Sequence, residues 1–480
     1  MTRLLEPAER SGLLARFATA VPDTFPDLDP STGEPIAHVP RVDGAAVAAA
    51  VETASAALPA WAATAPRARA EILRHAHDLM ISELDELSLV MSLEVGKARQ
   101  DSRGEVRYAA EFFRWFAEEA VRIGGELRTS PAGTHRILTR HRPVGVSLLL
   151  TPWNFPAAMI TRKLGAALAA GCTALVKPAE DSPLTALYLA DLLERAGLPA
   201  GVATVLTSDR PAEVVDAALA DPRVRKVSFT GSTRVGRELL HKTADRVVNT
   251  SLELGGNAPF VVLDDADLDA AVEGAMVAKL RNGGQACTAA NRFLVQEAVA
   301  GEFTRRLARR MASVRVGPGR SDATQLGPMV NARRRDAIAS TVAAAADSGA
   351  RVRLGADVPD GPGFYYPPTV LDAVARDACL VADEIFGPVA PVVTVVDDED
   401  AVTVANGSEL GLAAYVYTGD LRRGLALAER LEVGMVGLNR GLVSDPAAPF
   451  GGVKESGLGR EGGFEGIHEY LEIGYTAVDW

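Results

Sequence analysis

From about residue 143 onward, short apolar segments alternate with amphipathic ones. Val144–Leu150 has the composition of a buried strand, and a helical segment, another apolar strand and a further helix follow it. A second alternating series runs from Ala258 to about residue 440. Strands that alternate with helices predict parallel sheets with helices on both faces. The sequence therefore predicts an α/β protein with two doubly wound domains.

The length of the chain requires more than one hydrophobic core. The chain has 480 residues, whereas a single core stops growing near roughly 250–300 residues. Two β-like stretches lie outside the alternating series, from Gly124 to Arg142 and from Ile467 to Trp480. We expect these two stretches to share a small sheet.

Composition and charge exclude several classes of function. The formal net charge is −12, and the sequence has no basic stripe of the kind that binds nucleic acid. Glu6 and Glu9 lie in the N-terminal segment, which has no apolar run of signal-peptide length. No uninterrupted apolar run reaches the roughly 18 residues that a membrane helix needs. We therefore expect a cytoplasmic protein with neither a nucleic-acid partner nor a membrane partner.

The three cysteines are too few and too widely spaced for a disulfide framework, and none has a histidine at zinc-ligand spacing, so no metal site is predicted. Cys172 lies in an apolar run and Cys379 has no activating neighbour, so both are expected to be structural. Cys287 follows a Gly-Gly pair in Arg-Asn-Gly-Gly-Gln-Ala-Cys-Thr (281–288), which supports a turn that presents its sulfur and N–H to a ligand. The local sequence around Cys287 is equally consistent with a catalytic nucleophile and with a structural thiol.

Three further motifs carry polar groups that suit a ligand site. Thr-Pro-Trp-Asn-Phe-Pro (151–156) follows a strand, and Asn154 offers an uncharged N–H donor there; an Asx-turn is the alternative. Phe229–Gly236 follows a strand and opens a helix, an arrangement that favours anions such as phosphate. Glu253 lies between two leucines, where burial would raise its pKa toward that of a general base; an ion-paired or helix-terminal glutamate is the alternative.

These groups combine into one mechanism. The Cys287 thiolate attacks an aldehyde carbonyl, because thiolate is a strong nucleophile near neutral pH. The Asn154 amide and the Cys287 N–H stabilise the oxyanion that forms. A hydride then leaves to a nicotinamide, which yields a thioester, and Glu253 activates the water that hydrolyses it.

The motifs TPWNFP, FTGSTRVG, LELGG and GQAC, followed by Glu384–Val389 and Pro449–Gly452, resemble those of the aldehyde dehydrogenase superfamily in order and spacing. The resemblance runs from about residue 23 to the C-terminus. It implies a Rossmann-like cofactor domain, a catalytic domain and a small β oligomerisation sheet, in a homodimer or homotetramer. On this sequence the cofactor domain takes residues 1–122 and 143–254, the catalytic domain residues 255–447, and the oligomerisation sheet residues 123–142 and 463–480.

The resemblance also implies roles for individual residues. Cys287 matches the nucleophile, Glu253 the general base and Asn154 the oxyanion donor. The cofactor contacts match Lys177 and Glu180 at the adenine-side ribose, Ser232 at the pyrophosphate, Glu384 and Phe386 at the nicotinamide-side ribose and ring, and Trp153 at the cofactor site. Because the Glu180 carboxylate can accept from a ribose 2′-OH but would repel a 2′-phosphate, we predict NAD, with NADP as the alternative.

Within the superfamily, residues 448–462 and Met159–Lys163 resemble the succinate-semialdehyde dehydrogenases. That group holds the carboxylate of its substrate with two arginines and a serine, which match Arg162, Arg281 and Ser444. A guanidinium binds a carboxylate through two parallel hydrogen bonds, although a structural ion pair is the alternative for either arginine. We therefore predict the oxidation of a short, carboxylate-bearing aldehyde, with succinate semialdehyde as the first candidate.

Some features of the sequence depart from this group or leave alternatives open. Ala289 stands where some members carry a second cysteine, so a redox disulfide is expected to be absent. Asp445 would oppose an anionic substrate if it pointed inward, which leaves glutarate semialdehyde or an uncharged aldehyde open. An inactive structural or binding member and an acyl transferase that uses Cys287 are further alternatives. CoA-acylating relatives lack the water-activating glutamate, so Glu253 predicts a free acid as the product.

Overall fold

A hairpin and four helices form the first part of the chain, which the computed structural model describes from residue 23 to residue 479. In the hairpin, Thr24–Leu28 (β1) pairs antiparallel with Pro35–Pro40 (β2). The Asp29 carboxylate accepts a hydrogen bond from the backbone N–H of Ser31 (2.8 Å) in the turn between the two strands. The elements that follow are α1 (Gly44–Ala63), α2 (Pro66–Ser82), α3 (Leu84–Glu94), α4 (Arg99–Ala120), β3 (Leu127–Thr129) and β4 (Arg136–Pro143).

Helix α1 is the one helix among residues 23–479 that is long and apolar enough to cross a membrane by length and composition. It begins after Asp43, whose carboxylate accepts a hydrogen bond from the N–H of Ala46. Its side chains Val47 and Val51 are buried in the same core as Leu148 of the first large sheet. In the structure, α1 therefore packs one apolar face against that sheet, and its other side chains lie at the surface.

The first large sheet is formed by alternating strands and helices between residues 146 and 253. These elements are β5 (Val146–Leu150), α5 (Pro156–Ala170), β6 (Thr173–Lys177), α6 (Pro183–Arg195), β7 (Ala203–Val205), α7 (Pro211–Ala220), β8 (Val224–Thr230), α8 (Thr233–Ala244) and β9 (Asn249–Glu253). The strand order is β9-β8-β5-β6-β7, and every neighbouring pair is parallel. Gly457–Leu458, from the C-terminal part of the chain, adds an antiparallel strand beside β9.

The side chains of β5 alternate between two hydrophobic cores, because successive residues of a strand point to opposite faces. Leu149 packs with residues of α2, α4, α5 and α6, whereas Leu148 and Leu150 pack with residues of α1, α7 and α8. Helices therefore cover both faces of the sheet, as the alternating pattern predicts.

The second large sheet is formed by the elements between residues 258 and 438. They are β10 (Ala258–Val262), α9 (Leu268–Leu280), a 3-10 turn (Arg281–Gly284), β11 (Ala290–Gln296), α10 (Glu297–Ala312), α11 (Ala332–Asp347), β12 (Arg351–Leu354), β13 (Thr369–Asp372), α12 (Cys379–Ala382), β14 (Val389–Val395), α13 (Asp398–Asn406), β15 (Leu410–Gly411), β16 (Ala413–Tyr417), α14 (Leu421–Ala428) and β17 (Met435–Leu438). The strand order is β12-β13-β14-β11-β10-β16-β17. All neighbouring strands in this sheet are parallel, except that β12 and β13 are antiparallel to each other.

A small antiparallel sheet joins the middle of the chain to its end. The last elements are β18 (Val453–Lys454), β19 (Gly457–Leu458), α15 (Glu465–His468) and β20 (Leu471–Val478). Strand β20 pairs with β4 along its whole length, and β3 pairs with the other side of β4. The predicted α/β fold class is confirmed, while the division of the chain into domains stays a prediction.

Candidate active site

Cys287 follows a tight turn that only glycine can complete. Asn282, Gly283 and Gly284 all have positive φ angles, of 53°, 63° and 75°. A Cβ atom on Gly284 would lie 2.2 Å from the carbonyl oxygen of Gly387, so the backbone approaches too closely for any side chain there. The turn leaves Cys287 half-buried, just before β11 begins.

Glu253 is the last residue of β9 and is 3% exposed. Burial raises the pKa of its carboxyl group to about 7; the positive charge of Arg162 opposes this rise, and the negative charge of Glu461 adds to it. The thiol of Cys287 also lies close enough to affect this pKa. Such a carboxyl group can accept a proton near neutral pH.

Burial also raises the pKa of the Cys287 thiol well above its usual value, and the nearby carboxylate of Glu253 raises it further. The guanidinium of Arg162 acts in the opposite direction and favours the thiolate. Burial and two charged groups that are far apart in sequence, Glu253 and Arg162, therefore set the ionisation of this sulfur. The order of these effects favours a thiol in the resting protein.

Asn154 lies in the loop between β5 and α5, and it is buried. Its side-chain Nδ2 donates a hydrogen bond to the carbonyl oxygen of Gln285 (3.1 Å), two residues before Cys287. Its backbone oxygen accepts a hydrogen bond from Nδ2 of Asn282 (2.8 Å). The structure thus brings the predicted oxyanion donor to the turn of the predicted nucleophile.

Two aromatic rings and a buried carboxylate lie beside this group. The rings of Trp153 and Phe386 meet edge to face, with centroids 5.5 Å apart. Burial raises the pKa of Glu384 to about 7, and the backbone N–H of Gly256 donates to its Oε1 at 3.4 Å. The predicted nicotinamide-side contacts Glu384 and Phe386 therefore lie next to the segment that follows Glu253.

The predicted contacts to the rest of the cofactor lie at the ends of β6 and β8, the two strands on either side of β5. Lys177 ends β6, and its Nζ lies 3.7 Å from the carboxylate of Glu180, which is 45% exposed. Ser232 precedes α8 and accepts a hydrogen bond from the N–H of Val235 (3.4 Å). A chain of donors and acceptors thus runs along the carboxyl edge of the first sheet.

Arg162 of α5 is 1% exposed and already carries an ion pair. Its Nε lies 2.5 Å from Oε2 of Glu461, and its Nη2 lies 3.9 Å from Oε2 of Glu253. The guanidinium packs 4.1 Å above the ring of Phe450. Its Nη1 is buried and has no hydrogen-bond partner in the described part of the chain. The guanidinium therefore has ion-pair partners at Nε and Nη2, whereas Nη1 has none in the described part of the chain.

Arg281 and Ser444 lie near Arg162, around a side chain that the sequence patterns do not single out. Burial raises the pKa of Tyr108, while Arg162, Arg281 and Ser444 each lie close enough to lower it. The Tyr108 hydroxyl is buried and makes no hydrogen bond within residues 23–479. Asp445, next to Ser444, is exposed and accepts from the N–H of Ala447 (2.9 Å) instead.

Lys163 and Glu461 are further charged residues at this site that sequence reasoning missed. Lys163 Nζ donates to Glu461 and also to Oγ of Ser228 (3.1 Å). Burial alone would raise the pKa of Glu461, but Arg162 and Lys163 outweigh it, and the pKa is lowered. The sequence offered a signal for Lys163, because it is a charged residue next to Arg162 on a helix with no exposed side chain. It offered none for Glu461, which is about 300 residues from Lys163 along the chain.

Among residues 23–479, no cluster of three or more histidine, cysteine, aspartate or glutamate side chains suits a metal ion.

Comparisons with known proteins agree with this geometry. The aldehyde dehydrogenase family matches residues 17–475. The chain is 55% identical to the succinate-semialdehyde dehydrogenase of Paenarthrobacter nicotinovorans, over 90% of this chain and 96% of that protein. It is 47% identical to the glutarate-semialdehyde dehydrogenase of Pseudomonas aeruginosa, over 94% and 93%.

A solved structure matches the whole fold as well. The crystal structure of an NADP dependent enzyme of E. coli has a TM-score of 0.94 to this chain at 44% sequence identity, over 95% of each chain. The family resemblance stated from the motifs is confirmed. The chain belongs to the aldehyde dehydrogenase family.

Proposed function

We propose that this protein oxidises a short aldehyde carrying its own carboxylate to the free acid, with succinate semialdehyde as its substrate. The observation that carries the proposal is the buried guanidinium of Arg162, which lies beside Cys287 and Glu253 and acts, together with Arg281, on Tyr108. The two relatives described above, named for succinate and glutarate semialdehydes, support the same substrate class.

The first step is attack by Cys287 on the aldehyde carbon. The thiol passes its proton to a water molecule as the sulfur–carbon bond forms, and the positive charge of Arg162 favours the thiolate. The side-chain N–H of Asn154 and the backbone N–H of Cys287 stabilise the oxyanion. Loss of one such donor typically costs about 3–4 kcal/mol of transition-state stabilisation.

NAD(P) fits the residues along the carboxyl edge of the first sheet. A Cβ on Gly255 would lie 2.9 Å from the Glu384 carboxylate. Glycine at this position therefore lets the carboxylate lie close to the backbone. Lys177, Glu180 and Ser232 would hold the adenine side and the phosphates, while Trp153, Glu384 and Phe386 would hold the nicotinamide side. When bound, the dinucleotide supplies an acceptor for the hydride that leaves the thiohemiacetal carbon.

The last step is hydrolysis of the thioester. Glu253 is buried next to Cys287, and its raised pKa allows it to take a proton from a water molecule that attacks the thioester carbon. The S–C bond then breaks, and the thiol and the free acid are formed. The presence of this base favours water, rather than a thiol cofactor, as the acyl acceptor.

The carboxylate of the substrate is proposed to lie among Arg162, Arg281 and Ser444. Two guanidinium groups and a hydroxyl can donate to both carboxylate oxygens. The buried Tyr108 hydroxyl lies close to all three groups. Asp445 forms a local turn and does not oppose a negative charge there.

Three further properties belong to this proposal. NAD is preferred over NADP, because Glu180 would repel a 2′-phosphate. The protein is a homodimer or homotetramer, because Leu127, Ile473 and Tyr475 on the small sheet are more than half exposed. It acts in the cytoplasm, where the thiol of Cys287 stays reduced.

The test is a comparison of kcat/KM for succinate semialdehyde and for butanal, which has the same length and no carboxylate. We expect a preference of roughly 100-fold or more, equivalent to about 2.7 kcal/mol. In the Arg281→Gln variant this preference should fall at least tenfold through KM for succinate semialdehyde. Arg309→Gln, which changes an exposed arginine on α10, is the matched control and should leave the preference unchanged.

Each other outcome would lead to a different conclusion. Near-equal values for the two aldehydes would retain the chemistry and assign Arg162 and Arg281 to structural ion pairs. A higher value for glutarate semialdehyde than for succinate semialdehyde would move the substrate by one methylene. Cofactor reduction that persists in Cys287→Ser would contradict the thioester mechanism, because a serine lacks thiolate character.

A further inference from the structure

Two oppositely charged side chains lie fully buried behind the loop that carries Asn154. Lys97 Nζ contacts the Oε2 atom of Glu105, and neither side chain has any exposed surface. Lys97 lies between α3 and α4, and Glu105 lies on α4. Neither residue belongs to a motif that sequence analysis singles out, and the mechanism above does not use them.

Glu105 uses its second oxygen to cap a different helix. Its Oε1 accepts hydrogen bonds from the backbone N–H groups of Ala157 (3.0 Å) and Ala158 (3.2 Å). These groups belong to the first turn of α5, which begins at Pro156 and has no side-chain cap of its own. The first N–H groups of a helix need an acceptor, and a negative charge there is favourable. Glu105 therefore fixes where α5 begins, directly after the Asn154 loop.

Lys97 holds the loop itself. Its Nζ donates a hydrogen bond to the backbone oxygen of Asn154 (2.9 Å) and lies 4.0 Å from the centre of the Phe155 ring. The same Asn154 oxygen accepts from Nδ2 of Asn282, which also donates to the oxygen of Gln285 (2.9 Å). One carbonyl group thus joins the buried lysine to the turn that precedes Cys287.

A role in stability alone does not account for this arrangement. Removing two charges from water costs so much free energy that well-packed apolar residues often stabilise a core as well as an ion pair does. By contrast, each charged group here makes hydrogen bonds to the backbone. Lys97 donates to the Asn154 loop, and Glu105 accepts from the start of the helix that follows it. A displacement of about 1 Å at a reacting group lowers a rate by roughly 100-fold, so rigid placement of Asn154 has a direct catalytic value.

We propose that Lys97 and Glu105 form a positioning pair that holds Asn154 in place to stabilise the oxyanion on the substrate of Cys287. This inference rests on the proposed role of Asn154 as an oxyanion donor. The pair touches neither substrate nor cofactor, and it acts through the Asn154 carbonyl and the start of α5.

The first experiment uses Lys97→Met, which keeps the length of the side chain and removes its charge and its N–H donors. We expect kcat, and the rate of the first turnover of cofactor reduction, to fall between about 10- and 100-fold. The KM values for aldehyde and cofactor should change by less than about twofold, because the binding residues are untouched. A loss confined to KM would overturn the proposal.

A double variant separates positioning from folding. Lys97→Met alone leaves the Glu105 charge unpaired and buried, so its Tm should fall. In Lys97→Met/Glu105→Gln the buried charge is gone and an oxygen remains to accept from Ala157 and Ala158. We expect the Tm to recover while kcat stays low. Recovery of kcat together with the Tm would show a purely structural pair and would overturn the proposal.

The matched control is Lys226→Met, which removes another lysine with no exposed side-chain surface. Lys226 Nζ donates to Oδ1 of Asn249 (2.6 Å) and lies 3.4 Å from Glu469, with no contact to the Asn154 loop. Its Tm should fall as that of Lys97→Met does, while its kcat stays within about twofold of the unmodified protein. An equal loss of kcat in the two variants would contradict a specific effect of Lys97.

A double-mutant cycle with Asn154→Ala tests whether Lys97 affects kcat through Asn154. Asn154→Ala alone should lower kcat strongly, and Lys97→Met in that background should lower it by less than about twofold more. A full further loss would overturn the positioning pair while leaving Asn154 as the oxyanion donor. An Asn154→Ala variant with unchanged kcat would instead refute the role of Asn154, and with it the inference.

Discussion

Burial and the positive charge of Arg162 act on the pKa of Glu253 in opposite directions. Burial has the larger effect and raises its pKa to about 7, while the nearby Arg162 lowers it. A carboxyl group must be ionised to accept a proton, so the general base is inactive below this pKa and active above it. At the scale of one residue, the environment therefore sets the pH range in which the thioester is hydrolysed.

This gives a prediction for pH. The kcat of the unmodified protein should rise as pH increases through about 7, because Glu253 loses its proton there. Steady-state rates measured from about pH 5.5 to 8.5 at saturating substrate would show the step. A kcat that falls over this range would contradict the assignment of Glu253 as the base.

A substitution at Glu253 separates cofactor reduction from hydrolysis of the thioester. Glu253→Gln keeps the shape of the side chain but cannot accept a proton, so hydrolysis should slow more than cofactor reduction does. We expect a burst of about one NADH per active site followed by slow turnover, measured by stopped-flow absorbance. An equal loss in the burst rate and in the steady-state rate would refute Glu253 as the base for hydrolysis.

We expect one residue, Glu180, to decide the choice between NAD and NADP. Glu180 is 45% exposed and lies 3.7 Å from Lys177. Glu180→Ser removes the negative charge and leaves Lys177 free to pair with a 2′-phosphate, so kcat/KM for NADP should rise at least tenfold and that for NAD should fall. Glu194→Ser, on the exposed side of α6, is the control and should change neither value. Unchanged use of NADP in Glu180→Ser would show that Glu180 does not select the cofactor.

At the scale of an element, the turn before Cys287 depends on backbone freedom. Asn282, Gly283 and Gly284 adopt left-handed φ angles in succession, and Gly284 packs directly on the backbone of Gly387. Residues with a Cβ rarely adopt such conformations. The turn therefore positions the thiol through backbone geometry.

A pair of glycine variants tests this turn. Gly284→Ala should cost at least about 1–3 kcal/mol through its φ angle alone, and its Cβ would clash with Gly387 as well, so both Tm and kcat should fall. Gly301→Ala, in helix α10, meets no atom within 4 Å and should stabilise the protein by about 0.5–1 kcal/mol. Thermal unfolding and steady-state rates of both variants provide the measurement. A Gly284→Ala variant with unchanged Tm and kcat would refute this account.

At the scale of the whole molecule, the small sheet presents apolar side chains to solvent. Ile473 is 70% exposed and Tyr475 59%, and both lie on β20, beside a cavity of about 400 Å³ lined by Phe464 and His468. Exposed apolar patches of this kind mark contacts between proteins. We expect a second copy of the chain to cover this face.

The corresponding variant is Ile473→Glu, which places a charge at the centre of that face. Its molar mass in solution, measured by light scattering after size exclusion, should be smaller than that of the unmodified protein. Val396→Glu changes an equally exposed side chain (71%) at the end of β14 and should leave the mass unchanged. An Ile473→Glu variant of unchanged mass would place the oligomer contact elsewhere.

Local sequence patterns were enough to predict the fold class and to propose the reactive groups. Strand and helix periods are local properties, so the alternation of apolar and amphipathic segments was enough to predict two sheets covered by helices. The nucleophile, the base and the amide stand in short motifs at Cys287, Glu253 and Asn154. Each motif requires a particular backbone shape, and each was recognisable without knowledge of its neighbours in space.

Only the tertiary structure decided how these groups meet. Asn154 and Glu253 lie at the carboxyl ends of strands in the first sheet, whereas Cys287 precedes a strand of the second, so the candidate site draws its residues from both sheets. The partners of Arg162 and of the Asn154 carbonyl are Glu461 and Lys97, far away along the chain. Such contacts depend on packing over long sequence separations, which no local pattern records, and they set the pKa values and the positions on which the chemistry depends.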